Sequence, residues 1–159
     1  VSKATDNAYL AGLLDGEGTI SFVKEKTNNC KRGYTWKFTV CIDNTNPLMM
    51  EWIKNTYTDV GVFNSFYDKR SNLKMKHRWT IKSREIKTIL PLVKPYLTNK
   101  KELARLILKA ISLQSEHYSR YTPHDEKLGV IHDQMRFLNS RGVKAHKARN
   151  SVTLNIKER

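Results

Sequence analysis

An α+β fold with one four-stranded antiparallel sheet is predicted by three features of this 159-residue chain. Residues 19–43 and 62–82 each read as two segments in which apolar and polar residues alternate, the period of a half-buried strand. Apolar residues at helical spacing precede each pair and follow the second. The resulting order is helix, two strands, helix, two strands and then three helices, an αββαββα pattern with additional C-terminal helices. Four strands with one apolar face need helices over that face, so the opposite face of the curved sheet is left to solvent or a partner.

The first helix is predicted over residues 6–15, with Asp6 as N-cap and Tyr9, Leu10, Leu13 and Leu14 as its apolar stripe. Ala8, Gly12 and Gly16 recur every fourth residue and open a groove for close approach of another helix. Glycine inside a helix costs about 1 kcal/mol relative to alanine, so these two glycines need a reason in contacts or conformation. Thr19–Lys26 then alternates, with Ile20 and Phe22 inward and Thr19, Ser21, Val23 and Glu25 outward. Polar residues 27–33 form the turn. Tyr34–Asp43 follows, placing Trp36, Phe38, Val40 and Ile42 inward and Thr35, Lys37, Thr39 and Cys41 outward.

Asn44, Thr45, Asn46 and Pro47 open a helix over about residues 47–57, with Leu48, Met49, Trp52 and Ile53 at helical spacing. The second hairpin is Val62–Lys69 and Leu73–Lys82 about the Arg70-Ser71-Asn72 turn. Leu73, Met75, Trp79 and Ile81 are assigned inward, and Lys74, Lys76, Arg78, Thr80 and Lys82 outward. Ser65, Tyr67 and Lys69 are assigned to the same outer face. A helix over about 83–94 is closed by Pro95, Lys100–Ser115 is strongly apolar on one side, and a last helix spans about 125–139. The whole of 1–159 is expected to form one domain with a basic tail over about 140–159.

Lys and Arg number 29 against 15 Asp and Glu, a formal charge of +14. A surplus of this size favours a polyanion partner. A membrane is disfavoured because no apolar run approaches the roughly 18 residues of a spanning helix. Cys30 and Cys41 have no Cys or His at ligand spacing, and the five histidines form no zinc motif. Both thiols are read as free, which places the chain in a reducing intracellular compartment, the cytoplasm of a prokaryote or an organelle.

The outer sheet face is the expected nucleic-acid surface. Its candidates are Ser21, Val23, Glu25, Thr35, Lys37, Thr39, Cys41, Ser65, Tyr67, Lys69, Lys74, Lys76, Arg78, Thr80 and Lys82, joined by Arg141, Lys144 and Lys147 of the tail. Arg78 is suited to two hydrogen bonds with a guanine edge, whereas the lysines serve phosphates equally well. Alternating lysines also protect an exposed edge strand from aggregation. Phe63 and Tyr67, assigned to this same outer face, offer weak support for stacking on single strands or RNA.

Leu10-Ala11-Gly12-Leu13-Leu14-Asp15-Gly16-Glu17-Gly18 places glycines on a helix face and carboxylates at the helix exit of a strongly basic protein. That combination points to metal-dependent cutting of nucleic acid. The segment resembles the signature of the LAGLIDADG homing endonucleases of the single-motif, homodimeric type. It departs only in Leu14 for isoleucine, Gly16 for alanine and Glu17 for aspartate. The likeness extends through the element order and Pro95-Tyr96-Leu97-Thr98-Asn99-Lys100-Lys101.

The resemblance implies that the motif helices of two half-sites meet and that Glu17 binds the catalytic divalent metal, with the Gly16 carbonyl as an additional ligand. Asp15 would cap or support the helix junction. Lys100 matches a family lysine near the cleavage centre, and Asn44 is the best match to a glutamine that contacts its water network. A basic family residue one turn later is replaced by Leu48 or Met49. Residues 139–144 resemble the family's phosphate-contacting loop.

Hard Mg²⁺ prefers such oxygen donors, Mn²⁺ is expected to substitute, and Ca²⁺ is expected to bind without supporting cleavage. One carboxylate per chain is too little for two strand cuts, so a C2 homodimer through the Leu10–Gly18 helix is the expected assembly. The implied activity is site-specific Mg²⁺-dependent hydrolysis of double-stranded DNA, on a pseudo-palindromic target of about 20 base pairs. An RNA-splicing maturase or a non-cleaving DNA-binding regulator is the alternative.

Overall fold

A computed structural model describes residues 3–67, 74–116 and 125–140. Helix α1 is Ala4–Glu17, and Lys3 occupies the N-cap position. Asp6 lies inside the first turn, where its carboxylate accepts the Lys3 N–H at 3.1 Å. It therefore closes the helix start from within and is not the N-cap that the sequence suggested. Asn7, Leu10, Ala11 and Leu14 are buried, while Ala8, Tyr9, Gly12 and Gly16 form an exposed opposite face.

The helix passes directly into strand β1, Gly18–Lys26. Gly18 permits this because a Cβ there would lie 2.7 Å from the Leu14 carbonyl oxygen and 2.8 Å from Leu14 Cα. Strand β2 is Tyr34–Asn44 and helix α2 is Pro47–Thr56. Strands β3 (Val62–Tyr67) and β4 (Met75–Lys82) form the second hairpin. Helix α3 (Ser83–Val93) leads through a 3₁₀ turn at Lys94–Tyr96 to helices α4 (Lys101–Glu116) and α5 (Asp125–Asn139).

The strands pair antiparallel in the order β1-β2-β4-β3. Ile20, Phe22, Trp36, Phe38, Val40, Ile42, Trp79 and Ile81 form the buried face of the sheet. The helices close over that face with Leu10, Leu14, Ile53, Ile86, Leu90, Ile107 and Leu128. Each such aliphatic or aromatic side chain contributes roughly 1.5–3 kcal/mol by leaving water. The αββαββα order and the inward residues of β1 and β2 are as the alternation predicted.

Helix α2 keeps three of its four expected apolar residues on the core, Ile53 buried and Met49 and Trp52 partly buried against it, and adds Met50. Met50 and Ile53 face the core, whereas Leu48 is 73% exposed. The Asn46 side chain accepts the Leu48 and Met49 N–H groups at 3.0 and 3.5 Å, and this cap fixes the rotation of the first turn.

Strand β3 requires the largest correction. Its register pairs Phe63 with Trp79, Ser65 with His77 and Tyr67 with Met75. Directly paired residues share a face, so Phe63, Ser65 and Tyr67 lie on the helix side and not with Lys76, Arg78 and Thr80, where they were expected. Val62, Asn64 and Phe66 take the outer positions instead. Apolar residues at 62, 63, 66 and 67 fit both phases of a period-2 pattern, and a one-residue shift reverses every side chain. Phe63 settles the phase by meeting Trp79, with ring centroids 6.4 Å apart. Met75 keeps its expected phase but is exposed at the sheet end. Lys69, Leu73 and the intervening turn lie outside the described residues, as do Arg141, Lys144 and Lys147.

Asp125 ties α5 to the first hairpin. Its carboxylate accepts the Tyr34 hydroxyl at 2.6 Å, the Trp36 indole N–H at 2.8 Å and an Arg32 guanidinium N–H at 3.3 Å. Partial burial opposes ionisation, but the Tyr34 and Trp36 hydrogen bonds and the Arg32 and Lys24 charges outweigh it and lower the Asp125 pKa. The unfolded chain therefore takes up this proton more readily. The stabilisation is present above the ordinary carboxylate value and is lost as pH falls through the lowered folded value. Denaturant melts between pH 7 and pH 3 should show a smaller loss of stability in acid for Asp125→Asn than for the wild type; equal pH slopes would remove Asp125 from this role.

Candidate cleavage centre and nucleic-acid interface

The last turn of α1 gathers the acidic residues of the motif. Glu17 and Gly16 are exposed at the helix terminus. Glu17 lines an open depression of about 370 Å³ together with Asp43, Asn44, Thr45 and Lys76. One expected site residue, Glu17, is thus brought beside a second, Asn44, and beside the basic outer face of β4. The Gly16 carbonyl belongs to the last helical turn, whose carbonyls lack helical N–H partners.

Asp15 points the other way. Its carboxylate accepts the backbone N–H groups of Thr98 at 2.7 Å, Asn99 at 3.2 Å and Lys100 at 2.8 Å. These groups immediately precede α4, so Asp15 caps that helix from a distant part of the chain. In return the Lys100 ammonium donates to the Asp15 carbonyl at 2.5 Å, placing a positive charge at the negative end of α1. The two helix ends cap one another; the Lys100 ammonium is held at the backbone of Asp15, and Lys100 is not among the residues lining the Glu17 depression. Asp15→Ala should destabilise the fold by about 2 kcal/mol through loss of these charge-assisted bonds. Denaturant melts check the size, and a loss below a few tenths of a kcal/mol would contradict the cap.

Asn44 has a local task as well. Its side-chain oxygen accepts the Asn46 N–H at 2.8 Å and shapes the turn into α2. In the following turn, where the resemblance implies a basic residue at the position of Leu48 or Met49, Leu48 stands exposed and Met49 is half-buried.

The outer face is built by β-sheet register. Thr19 pairs with Cys41, Ser21 with Thr39, Val23 with Lys37 and Glu25 with Thr35. Across the next seam Thr39 pairs with Lys82, Cys41 with Thr80 and Asp43 with Arg78. The candidates on β1, β2 and β4 therefore form one continuous surface, with Lys74 exposed just before β4. Among the described residues two ion pairs cross it. Glu25 pairs with Lys37. Asp43 grips Arg78 through two hydrogen bonds of 2.6 and 2.5 Å. The hydrogen bonds to Asp43 raise the Arg78 pKa further, so its charge is permanent. Burial raises the Cys41 pKa, with the Asp43 charge adding to it, so the thiol stays protonated on this face.

The Asp43–Arg78 pair and the outward Asn64 and Phe66 were missed by sequence reasoning. Asp43 and Arg78 occupy outward phases of their strands, but only β-strand pairing sets them opposite one another. For Asn64 and Phe66 the sequence carried no deciding signal, because both phases of β3 contain apolar residues.

The oxygen donors fit a hard divalent cation as an incomplete set. Among the described residues no three His, Cys, Asp or Glu side chains gather as a metal site. Glu17 and the Gly16 carbonyl leave most coordination positions to water, phosphate or a second subunit.

The family model described as LAGLIDADG endonuclease matches residues 10–112. No curated protein sequence matches the chain. The fold is similar to the homing endonuclease I-CvuI in complex with its target in the presence of Ca, at 18% identity and a TM-score of 0.67, covering 92% of both chains. I-CvuI with the I-CreI target in the presence of Mg, its DNA not cleaved, is similar at 17% identity and a TM-score of 0.69, covering 94% of this chain and 93% of that one. The archaeal intron-encoded homing endonuclease I-Vdi141I, complexed with DNA, gives 12% identity and a TM-score of 0.72 over 87% of both. The match runs from the motif helix through both hairpins and α3 into α4, and the chain belongs to the LAGLIDADG endonuclease family.

Proposed function

We propose that this protein is a site-specific homing endonuclease that cuts both strands of a long, pseudo-palindromic DNA duplex as a homodimer. The observation that carries the reading is the exposed Glu17 at the end of α1, sharing one depression with Lys76 of the basic face. Motif, charge and geometry meet there.

Two copies joined through the exposed Ala8, Gly12 and Gly16 face would set their Glu17 carboxylates on either side of a two-fold axis. Their outer sheet faces would then extend in opposite directions along the duplex, which suits a target of about 20 base pairs. Two copies also double the formal +14, so association should weaken steeply with salt.

Glu17 and the Gly16 carbonyl would hold the divalent cation, Mg²⁺ or Mn²⁺, with Ca²⁺ as a non-productive substitute. Such an ion polarises the scissile phosphate and acidifies an attacking water. Lys100, steadied by the Asp15 carbonyl, supplies positive charge near the developing negative charge of the phosphate. Asn44 orients water at the rim of the same depression. Lys74, Lys76 and Lys82 meet phosphates, while Arg78, Thr80, Thr35, Lys37 and Thr39 face base edges. The free thiols Cys30 and Cys41 suit a reducing compartment, prokaryotic or organellar.

Leu48 or Met49, apolar where the resemblance implies a basic side chain, favours a second reading. In it the protein binds nucleic acid without cutting, as an RNA-splicing maturase or a DNA-binding regulator. Selection of cleaved molecules from a randomised duplex library with Mg²⁺ separates the two. Recovery of one pseudo-palindromic cleaved sequence supports the endonuclease; bound but uncut duplex, or preference for structured RNA, supports the other.

A further inference from the structure

The Asp43–Arg78 pair lies where β2 and β4 run side by side on the outer face, the two residues being direct cross-strand partners. Arg78 Nε donates to Asp43 Oδ1 at 2.6 Å, and one terminal nitrogen donates to Oδ2 at 2.5 Å. These bonds occupy the side edge of the guanidinium. The group has five N–H bonds in a rigid plane, so its end edge keeps one N–H from each terminal nitrogen, side by side. Among the described residues no further partner takes that edge. The Phe66 ring of β3 supports the same group, its centroid 5.0 Å from the guanidinium carbon. The fork is held by a carboxylate and a ring, and Asp43 also lines the depression of Glu17.

A carboxylate on a surface that meets phosphates lowers general affinity for a polyanion. Its effect on Arg78 gives it a use. An untethered arginine serves phosphates and base edges alike, whereas a fixed end edge matches the adjacent N7 and O6 acceptors of guanine. From this geometry we infer that Asp43 is a specificity-determining positioning residue, committing Arg78 to a guanine beside the cleavage centre of each half-site. The inference rests on the duplex-cleaving function proposed above.

The test compares cleaved sequences selected from the randomised duplex library with Mg²⁺ by the wild type, Asp43→Ala, Asp43→Asn, Arg78→Ala and the Asp43→Ala/Arg78→Ala double variant. The wild type should favour guanine at one position near the cut in each half-site. Both Asp43 variants should lower that preference by about tenfold, the scale of one bidentate contact, while base ratios at other positions persist. Without Arg78, removing Asp43 should change nothing more at that position. Binding of Asp43→Ala to an unrelated duplex should gain salt dependence worth about one phosphate contact, because the released arginine reaches the backbone. An unchanged guanine ratio in the Asp43 variants overturns the inference, and so does an equal Asp43 effect in the absence of Arg78. Failure of the wild type to select any cleaved duplex is a distinct result, which removes the duplex-cleaving function and this inference with it.

Discussion

Glu17→Gln is expected to bind the selected duplex as the wild type does and to cut it at least about 10³-fold more slowly in Mg²⁺. Loss of the ion's hold on the phosphate forfeits several kcal/mol of transition-state stabilisation. The amide retains the size of the side chain but gives up the charge that attracts a hard cation. Because Glu17 is exposed at the end of α1, its replacement leaves the core untouched. Single-turnover cleavage with a parallel gel-shift measurement separates chemistry from binding. Wild-type cleavage by the variant would take Glu17 out of the mechanism, and equal loss of binding and cutting would make it a contact residue.

Gly12→Leu is expected to leave a folded monomer with no double-strand cleavage. A Cβ at Gly12 meets nothing within 4 Å in the single chain, so the subunit itself has room for a side chain. Replacing a mid-helix glycine should even favour the helix by up to about 1 kcal/mol. In the proposed dimer the same position lies where two α1 helices approach closely, and a leucine holds them apart. Sedimentation would show a monomer, a thermal melt would show an undiminished midpoint, and the cleavage assay would show intact duplex. A variant that remains dimeric and active would place the subunit contact elsewhere. A variant with a sharply lowered melting point would mean that Gly12 serves the subunit itself.

Asp15 and Glu17 sit two residues apart in one motif and have opposite fates. Helical geometry sends side chains two residues apart to different sides, and the structure engages the Asp15 carboxylate at the α4 terminus while Glu17 stays exposed. That Asp15 caps α4, accepting three N–H groups from Thr98, Asn99 and Lys100, depends on the 3₁₀ turn at Lys94–Tyr96 bringing those residues to the α1 terminus. The resemblance anticipated a supporting role for Asp15, and the structure supplies its partners. Strand β3 marks the limit of pattern reading: Val62, Phe63, Phe66 and Tyr67 offer apolar side chains to both faces. Local alternation was degenerate there and led to the wrong outer residues.

The sequence by itself determined the element order, the inward faces of β1 and β2, the basic character of the chain and the motif that carries Glu17. Those properties follow from local periodicity, charge and spacing, which need no knowledge of distant neighbours. Tertiary structure alone decided the phase of β3, the exposure of Leu48 on α2, the exchange of caps between Asp15 and Lys100, and the grip of Asp43 on Arg78. Each of these depends on which strand or helix end lies opposite, an outcome set by burial of the whole core and by cross-strand pairing, and a hydrogen bond such as that from Lys100 to Asp15, 85 positions apart, leaves no period to read.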